Sequence, residues 1–477
     1  MDVERFAMLV GERLRRPRRN ERRSRGERLA DALASLVRSG DLLADTRLPS
    51  ERALGTALGM SRGTVASALD QLAADGLVER RHGSGTYVRP VTATGPPADG
   101  PEPIFSRWIR EGTVVVDLAK SVVPDASLLP RLDLTVEDLL DVHPADGYGL
   151  LGETRLRELL AERIAPPGYG PGRLLVVAGA QQALHLTADT LLAPGDRDRV
   201  LVEQVTYPGL LAAVERFGGV PVIVPGDRYG WSPDAFADAV ERHRPAFAFT
   251  MPVHNPTGAV AADRRVRALA AVARESGTLL VEDRSLADLV LTDGPPPPVP
   301  SAAAYAPEHT VCLGSLSKSM WGGLRVGWIA AHEPVFARFV QAKRRTDLAT
   351  SALDQRLAIA LLADPGAAER RDAWRRDLRV RRDHLAALLA EHLPDWSWSL
   401  PAGGMSLWVR LPGADGEAFA DAARRHGVAV SPGAVFGPPG GTAAADRIRL
   451  SFGWPEPVLS EGVEMLTAAW AEHRSRR

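Results

Sequence analysis

The chain has 477 residues, 45% of them hydrophobic and 25% charged, with a formal net charge of -1. These are ordinary globular proportions in a chain too long for one small domain, and they exclude a uniformly basic or acidic binding protein. Cys312 is the only cysteine, which excludes an internal disulfide and a cysteine-based zinc cluster and suits a reducing cytoplasm, the expected location.

The start, MDVERFAMLVGERLRRPRR, lacks the apolar core of a signal peptide. No uninterrupted apolar run reaches the roughly 18 residues of a membrane span, so no membrane partner is expected. Charge is unevenly spread. Residues 1–90 carry 17 Arg against 12 Asp and Glu, a basic bias that points to a nucleic-acid-binding module on a neutral body. The tract RLRRPRRNERRSR at 13–25 either adds nonspecific phosphate contacts or stays disordered.

Three short helices are predicted next. In ERLADALASLVRSG, Leu29, Leu33, Leu36 and Val37 share one helical face, and Gly40 can end it. In PSERALGTALG, Ser50 is the N-cap, and Leu54, Ala57 and Leu58 point inward. In MSRGTVASALDQLAADG, Ser61 is the N-cap, Val65, Ala68, Leu69 and Leu72 are buried, and Gly76 suits the end. The second and third helices meet around Gly59 and Met60, as in a helix-turn-helix. LVERRHGSGTYV then reads as a β-hairpin wing.

The start of the third helix is where base edges are met, so Arg62, Gly63 and Thr64 face outward there. Arg62 can grip guanine bidentately or hold phosphate. Arg47, Arg52, Arg80 and Arg81 are candidate backbone contacts. His82, Gly83 and Gly85 let the wing approach a groove. The run RLPSERALGTALGMSRGTVASALDQLAADGLVERRHGSGTYV resembles the winged helix of GntR-type bacterial regulators. That resemblance implies binding to double-stranded operator DNA, normally as a dimer. The head is assigned residues 24–89. PVTATGPPADGPEP follows, in a Pro/Gly-rich linker over 90–112.

From 113 to 477 strand-like runs alternate with amphipathic helices: LLVVAG, RVLVE, VPVIVP, AFAFTMP, TLLVED and TVCLGS. This predicts an α/β fold with a mainly parallel sheet, whose ligands bind beyond the carboxyl ends of the strands. PPPPVP at 295–300 reads as a surface loop.

The polar residues at those strand ends form a set. Ala180 and Gln181 open a helix whose free N–H groups suit a phosphate. Tyr207 can stack on a flat ring. Asn255 lies in an Asn-Pro-Thr-Gly turn. Asp283 ends TLLVED. Ser315, Lys318 and Arg325 lie in GSLSKSMWGGLRVGW. Lysine is rare here, at Lys120, Lys318 and Lys343 alone, while all other Lys/Arg positions are arginine. Arginine keeps its proton near neutral pH and cannot form an imine, whereas a desolvated lysine can. Lys120 and Lys343 are read as surface charges, and Cys312 as core. A phosphorylated aromatic aldehyde accounts for the whole set.

The motifs YGLLGETRLRELLAERI, GAQQALHL, YPG, HNPTG, VED, SLSKSMWGGLRVGW and IRLSFGW resemble fold type I pyridoxal 5'-phosphate (PLP) enzymes, the aminotransferase superfamily. The resemblance implies a large domain with a smaller C-terminal α+β subdomain. It implies that Lys318 forms the internal aldimine and Asp283 pairs with the pyridine nitrogen. Asn255 would bond the phenolic oxygen, and Tyr207 would stack on the ring. Ala180, Gln181, Ser315 and Arg325 would hold the phosphate, Arg449 a substrate carboxylate, and Tyr148 the neighbouring subunit's phosphate. Many relatives place a tyrosine two or three residues beyond the aspartate. Here Ser285 and Leu286 stand there, so weak or no turnover is expected.

Head, linker and large domain together resemble the MocR-type regulators. The expectation is a transcription factor that senses PLP or an amino compound through Lys318, as a head-to-tail homodimer. The alternatives are an active aminotransferase with an attached DNA-binding head, and a domain whose PLP is structural.

Overall fold

The computed structural model describes residues 25–38, 46, 48–74, 77–81, 85–88, 114–123, 129–141, 144–193, 195–227, 230–438, 441 and 444–475, with Phe6 and Val10. Gly40, Arg47, Gly76, His82, Gly83 and the 90–112 linker lie outside these, as do the side chains of Arg80 and Arg81. The chain divides into two compact units, Met1–Thr113 and Val114–Arg477.

Among the described residues of the first unit are the helices α1 (Arg25–Arg38), α2 (Glu51–Leu58) and α3 (Arg62–Ala74), and a hairpin of β1 (Val78–Arg81) and β2 (Gly85–Val88). The apolar stripes predicted for α1 and α3 are buried in one core, with Leu54 of α2. Phe6 and Val10, upstream of the expected start of the head, belong to it as well. Ala57 corrects the reading of α2. It is exposed, Leu58 is half-buried, and Gly55 takes the inward place. The reason is close approach. A Cβ on Gly55 would sit 2.9 Å from the Met60 carbonyl oxygen, so the tight turn between α2 and α3 needs hydrogen there.

Both serine caps form. Ser50 Oγ accepts from the Ala53 amide at 3.3 Å, and Ser61 Oγ from the Thr64 amide at 3.1 Å. Gly59 ends α2 with φ 62°. Arg62 is 78% exposed at its side chain and donates to Glu51 at 3.1 Å. An exposed pair of this kind is worth only about 0–1 kcal/mol, so a phosphate or base edge can displace the glutamate.

The second unit is built on a seven-stranded sheet. Its strands are β3 (Leu174–Val177), β4 (Arg199–Val202), β5 (Val220–Ile223), β6 (Phe247–Thr250), β7 (Leu280–Asp283), β8 (Thr310–Ser315) and β9 (Gly327–Ala330). Their order is β3-β9-β8-β7-β6-β4-β5. Only β9, which the sequence reading did not mark as a strand, runs antiparallel to its neighbours. Helices cover both faces, so β3, β7, β8 and β9 are buried at every position. Among the helices are α4 (Ala180–Leu191), α5 (Pro208–Arg216), α6 (Asp263–Ser276) and α7 (Val335–Thr346).

A smaller subdomain follows. Its antiparallel sheet comprises β10 (Ser397–Trp398), β11 (Ser406–Arg410), β12 (Ser431–Pro432) and β13 (Arg447–Ser451), in the order β10-β11-β13-β12. Trp396, Phe419 and Trp470 meet edge to face in its core, with ring centroids 5.3–5.6 Å apart. Among the described residues no helix is long and apolar enough to cross a membrane.

Candidate cofactor site

The carboxyl ends of the parallel strands bring several of the expected residues close together. Asp283 ends β7 and is 7% exposed. Its Oδ1 accepts from the Ser285 amide at 2.8 Å. Burial pushes its carboxyl above the usual range, while the Ser285 hydroxyl and amide and the nearby Lys318 charge act the other way. Among the described residues, no basic side chain forms an ion pair with it. A carboxylate buried this way calls for a cation. The Ser285 side chain ends in a buried hydroxyl beside this carboxylate.

Lys318 follows β8. Its Nζ donates to the Ser121 carbonyl at 2.5 Å, and its own carbonyl accepts from Trp374 Nε1 at 3.2 Å. Burial, then the Arg449 charge, lowers the ammonium to about 8, against the pull of Asp283. The linkage has a definite sign. The folded chain sheds this proton near pH 8 and the unfolded chain near its ordinary 10.5. Between those values the unfolded chain binds more protons, so this group's contribution to stability rises with pH from about 8 upward. Reactivity follows the same curve. In cofactor-free protein the rate of aldehyde capture at Lys318 should rise through about pH 8 and then level, where an ordinary surface lysine keeps accelerating. A pH series of capture rates, read by mass spectrometry at this residue, checks it.

Asn255 and Arg449 are joined. Arg449, on β13 and 2% exposed, donates from Nη1 to Asn255 Oδ1 at 3.0 Å. Asn255 therefore presents its amide N–H groups to a further acceptor. Arg449 also donates to the Ala119 carbonyl, and its guanidinium lies 4.9 Å from the centre of the Phe436 ring. Burial lowers it to about 10. Tyr207 caps α5 beside these groups. Burial first, then the Asp283 charge, pushes its phenol up to about 12.

The phosphate-type donors form a cradle. Helix α4 starts at Ala180 with no side-chain cap, which leaves the amides of Ala180 and Gln181 for an anion. Arg325 lies over this turn and donates from Nη2 to the Ala178 carbonyl at 2.6 Å. It holds φ 51°, a left-handed conformation that costs an arginine about 1 kcal/mol or more. Gly179 at φ 90° takes a backbone conformation that favours glycine, and it brings the turn close under the Arg325 guanidinium. Ser315 Oγ lies 2.9 Å from Ser317 Oγ and accepts from the Ser317 amide at 3.1 Å. Tyr148 is not brought into this cluster. It is 63% exposed.

Three contributors escaped the sequence reading. The carbonyls of Ala119 and Ser121 carry no residue signature. Ser317 sits beside Lys318 and was passed over. Lys343 is a correction. Expected at the surface, it is fully buried, with Nζ 2.5 Å from Asp347 and 3.1 Å from Thr350 Oγ1. Asp347 also accepts from Gln182, whose Oε1 accepts from the Ala178 amide at 2.6 Å. The lysine thus braces the turn before α4 from below. Lys343→Met should leave Asp347 without its cation and cost roughly 2–3 kcal/mol, read as a lowered unfolding midpoint. Lys120, paired with Asp117 at the surface, is as expected. Cys312 is buried in β8. Among the described residues no cluster of acidic, histidine or cysteine side chains could hold a metal.

A carbonyl-reactive lysine, a buried carboxylate lacking a cation, an amide donor, an aromatic ring and an uncapped helix start together fit PLP. The second unit therefore defines a PLP-binding protein of the fold type I aminotransferase class. Residues 115–466 match the aminotransferase class I and II family, and residues 25–88 match the gntR family of bacterial regulatory proteins. The HTH-type transcriptional regulator YisV of Bacillus subtilis is 30% identical over 78% of this chain and 80% of its own length. The HTH-type transcriptional regulator TauR of Rhodobacter capsulatus is 29% identical over 93% and 96%. The crystal structure of LysN, an α-aminoadipate aminotransferase from Thermus thermophilus, superimposes with a TM-score of 0.69 at 28% identity. It covers 78% of this chain and 95% of that one. The chain belongs to the MocR-type regulators, which join a GntR DNA-binding domain to an aminotransferase class I and II domain.

Proposed function

We propose that this protein is a transcriptional regulator whose large domain holds PLP at Lys318 and exchanges that bond for one to an amino compound. The exchange would shift the affinity of the winged helix for operator DNA. The observation that carries the reading is the convergence of Lys318, Asp283 and the α4 cradle in a chain that also bears a capped, outward-facing recognition helix.

Bound there, the cofactor supplies an aldehyde and an electron-withdrawing ring. The rest falls to side chains. Asp283 would keep the ring nitrogen protonated. The Asn255 amide would donate to the phenolic oxygen, and Tyr207 would stack on the ring. Ala180, Gln181, Ser315 and Arg325 would hold the phosphate. Arg449, fixed by Asn255 and Ala119, takes the effector's carboxylate. Ser285 offers a hydroxyl too short to replace a tyrosine, which favours capture over turnover. An effector that frees Lys318 from the cofactor changes what this residue contacts, and regulation needs such a difference between states. Arg62, Arg52 and the wing meet DNA, with Thr64 beside them. A homodimer would let Tyr148 complete the partner's site.

The test pairs two readouts on one sample. Purified full-length protein with PLP is given a panel of amino compounds while its visible spectrum and its affinity for promoter DNA are followed. The proposal expects at least one compound to shift both together without converting the cofactor to its amine form. Conversion with unchanged DNA affinity would make the protein an aminotransferase instead.

A further inference from the structure

A second cavity, of about 670 Å³, opens beside the loop that carries Asn255. His254 and Thr257 line it. None of Lys318, Asp283, Asn255, Tyr207, Arg325 and Arg449 does, so it is separate from the cofactor pocket. Its lining draws on the main domain and on the C-terminal subdomain, and includes Trp231 and Trp408.

The charges around it can be sorted. Glu282 is consumed by Ser301 Oγ at 2.6 Å and the Ala302 amide at 2.7 Å. Arg265 is consumed by the carbonyls of Gly230 and Trp231 and by Asp227 at 3.0 Å. Arg447 is a third exposed at its side chain, with Nε 3.9 Å from Asp446, so water screens it. Glu203, just after β4, is 15% exposed at its side chain and meets no arginine or lysine among the described residues, only His254 and the Thr250 hydroxyl. Its Oε2 lies 3.2 Å from His254 Nε2, and His254 Nδ1 lies 2.8 Å from Thr257 Oγ1. Burial raises this carboxyl, against the pull of His254 and Thr250.

The walls add a second preference. Trp231 is 1% exposed and stacks on Phe236 at 5.0 Å, and its indole N–H has no partner among the described residues. Val224, Met251, Leu269 and Leu280 supply aliphatic surface. A sunken carboxylate in a cavity that tryptophans also line attracts a cation, and the aliphatic surface favours an apolar body beside it.

We infer that this cavity is a second small-molecule site, taking an organic cation: a protonated amine on an apolar body, its charge at Glu203. The inference stands whether or not the cofactor site regulates DNA binding.

The probe is N,N-dimethylbenzylamine, which is protonated at neutral pH. Being a tertiary amine, it cannot form an imine with the cofactor, so its binding does not report on Lys318. Calorimetric titration into PLP-loaded full-length protein should show saturable binding. Benzyl alcohol, the neutral counterpart, should bind more weakly. Glu203→Gln should weaken the amine at least about ten-fold, with the cofactor's visible spectrum kept as the sign of an intact fold. Leu400→Arg is the second variant. Leu400 lines the cavity at 53% exposure, so arginine there is tolerated and repels a cation at the mouth. It should weaken the amine and spare benzyl alcohol. No saturable binding, equal affinity for the alcohol, or amine binding unchanged in both variants would overturn the inference.

Discussion

Lys318→Ala is expected to remove the visible band of the cofactor-bound protein and to leave DNA affinity indifferent to amino compounds. The reason is chemical. Lys318 is the only lysine at the end of a central strand, and burial, then Arg449, lowers its ammonium to about 8. Neither of the other two lysines can substitute. Lys120 is paired with Asp117 at the surface, and Lys343 is locked to Asp347 beneath α4. Lys318→Arg is the sharper control. It keeps the positive charge and cannot form an imine, so a loss in both variants assigns the effect to covalent capture. DNA binding itself should survive, because the head folds on its own core. Absorption spectroscopy with a DNA titration on the same samples measures it. Retained effector response in Lys318→Arg would refute covalent sensing.

Asp283→Ala should carry the second large effect, a loss of cofactor affinity on the order of 100-fold. The carboxylate is buried at the end of β7, bonded by the Ser285 amide, and without an ion-pair partner among the described residues. On the proposed reading a protonated ring nitrogen would supply that partner. Without the carboxylate, the nitrogen stands in a dry pocket with no counter-charge and gives up its proton, which weakens both binding and the ring's pull on electrons. Asp283→Asn keeps the shape and should fall between wild type and alanine. Equilibrium dialysis of the cofactor against each variant orders the three. Equal affinities would remove Asp283 from the ring-nitrogen role.

Much of this was legible because parallel sheets place chemistry in a predictable spot. Asp283, Asn255, Tyr207 and Lys318 each follow a buried apolar run, and the period of those runs marks the strands. The head was legible for a similar reason. Ser50 and Ser61 announce helix starts through their own hydroxyls.

The rest has physical reasons for its silence. Ala119 and Ser121 act through main-chain carbonyls, which every residue has. Lys343 looks like a surface cation at the end of α7, and its burial depends on Thr350 and on Gln182, which is distant in sequence. Ala57 obeyed helical spacing, yet the close approach at Gly55 turned the helix by another face. The second cavity draws on residues from Glu203 to Arg447, so no local pattern could outline it.

The central claim is that the state of Lys318 sets DNA affinity. The most direct measurement is the promoter-DNA dissociation constant of one PLP-loaded sample before and after an amino compound that shifts its visible band. The account predicts that the constant changes as the band changes, and that both revert when the compound is dialysed away. A shifted band with an unmoved constant would contradict it.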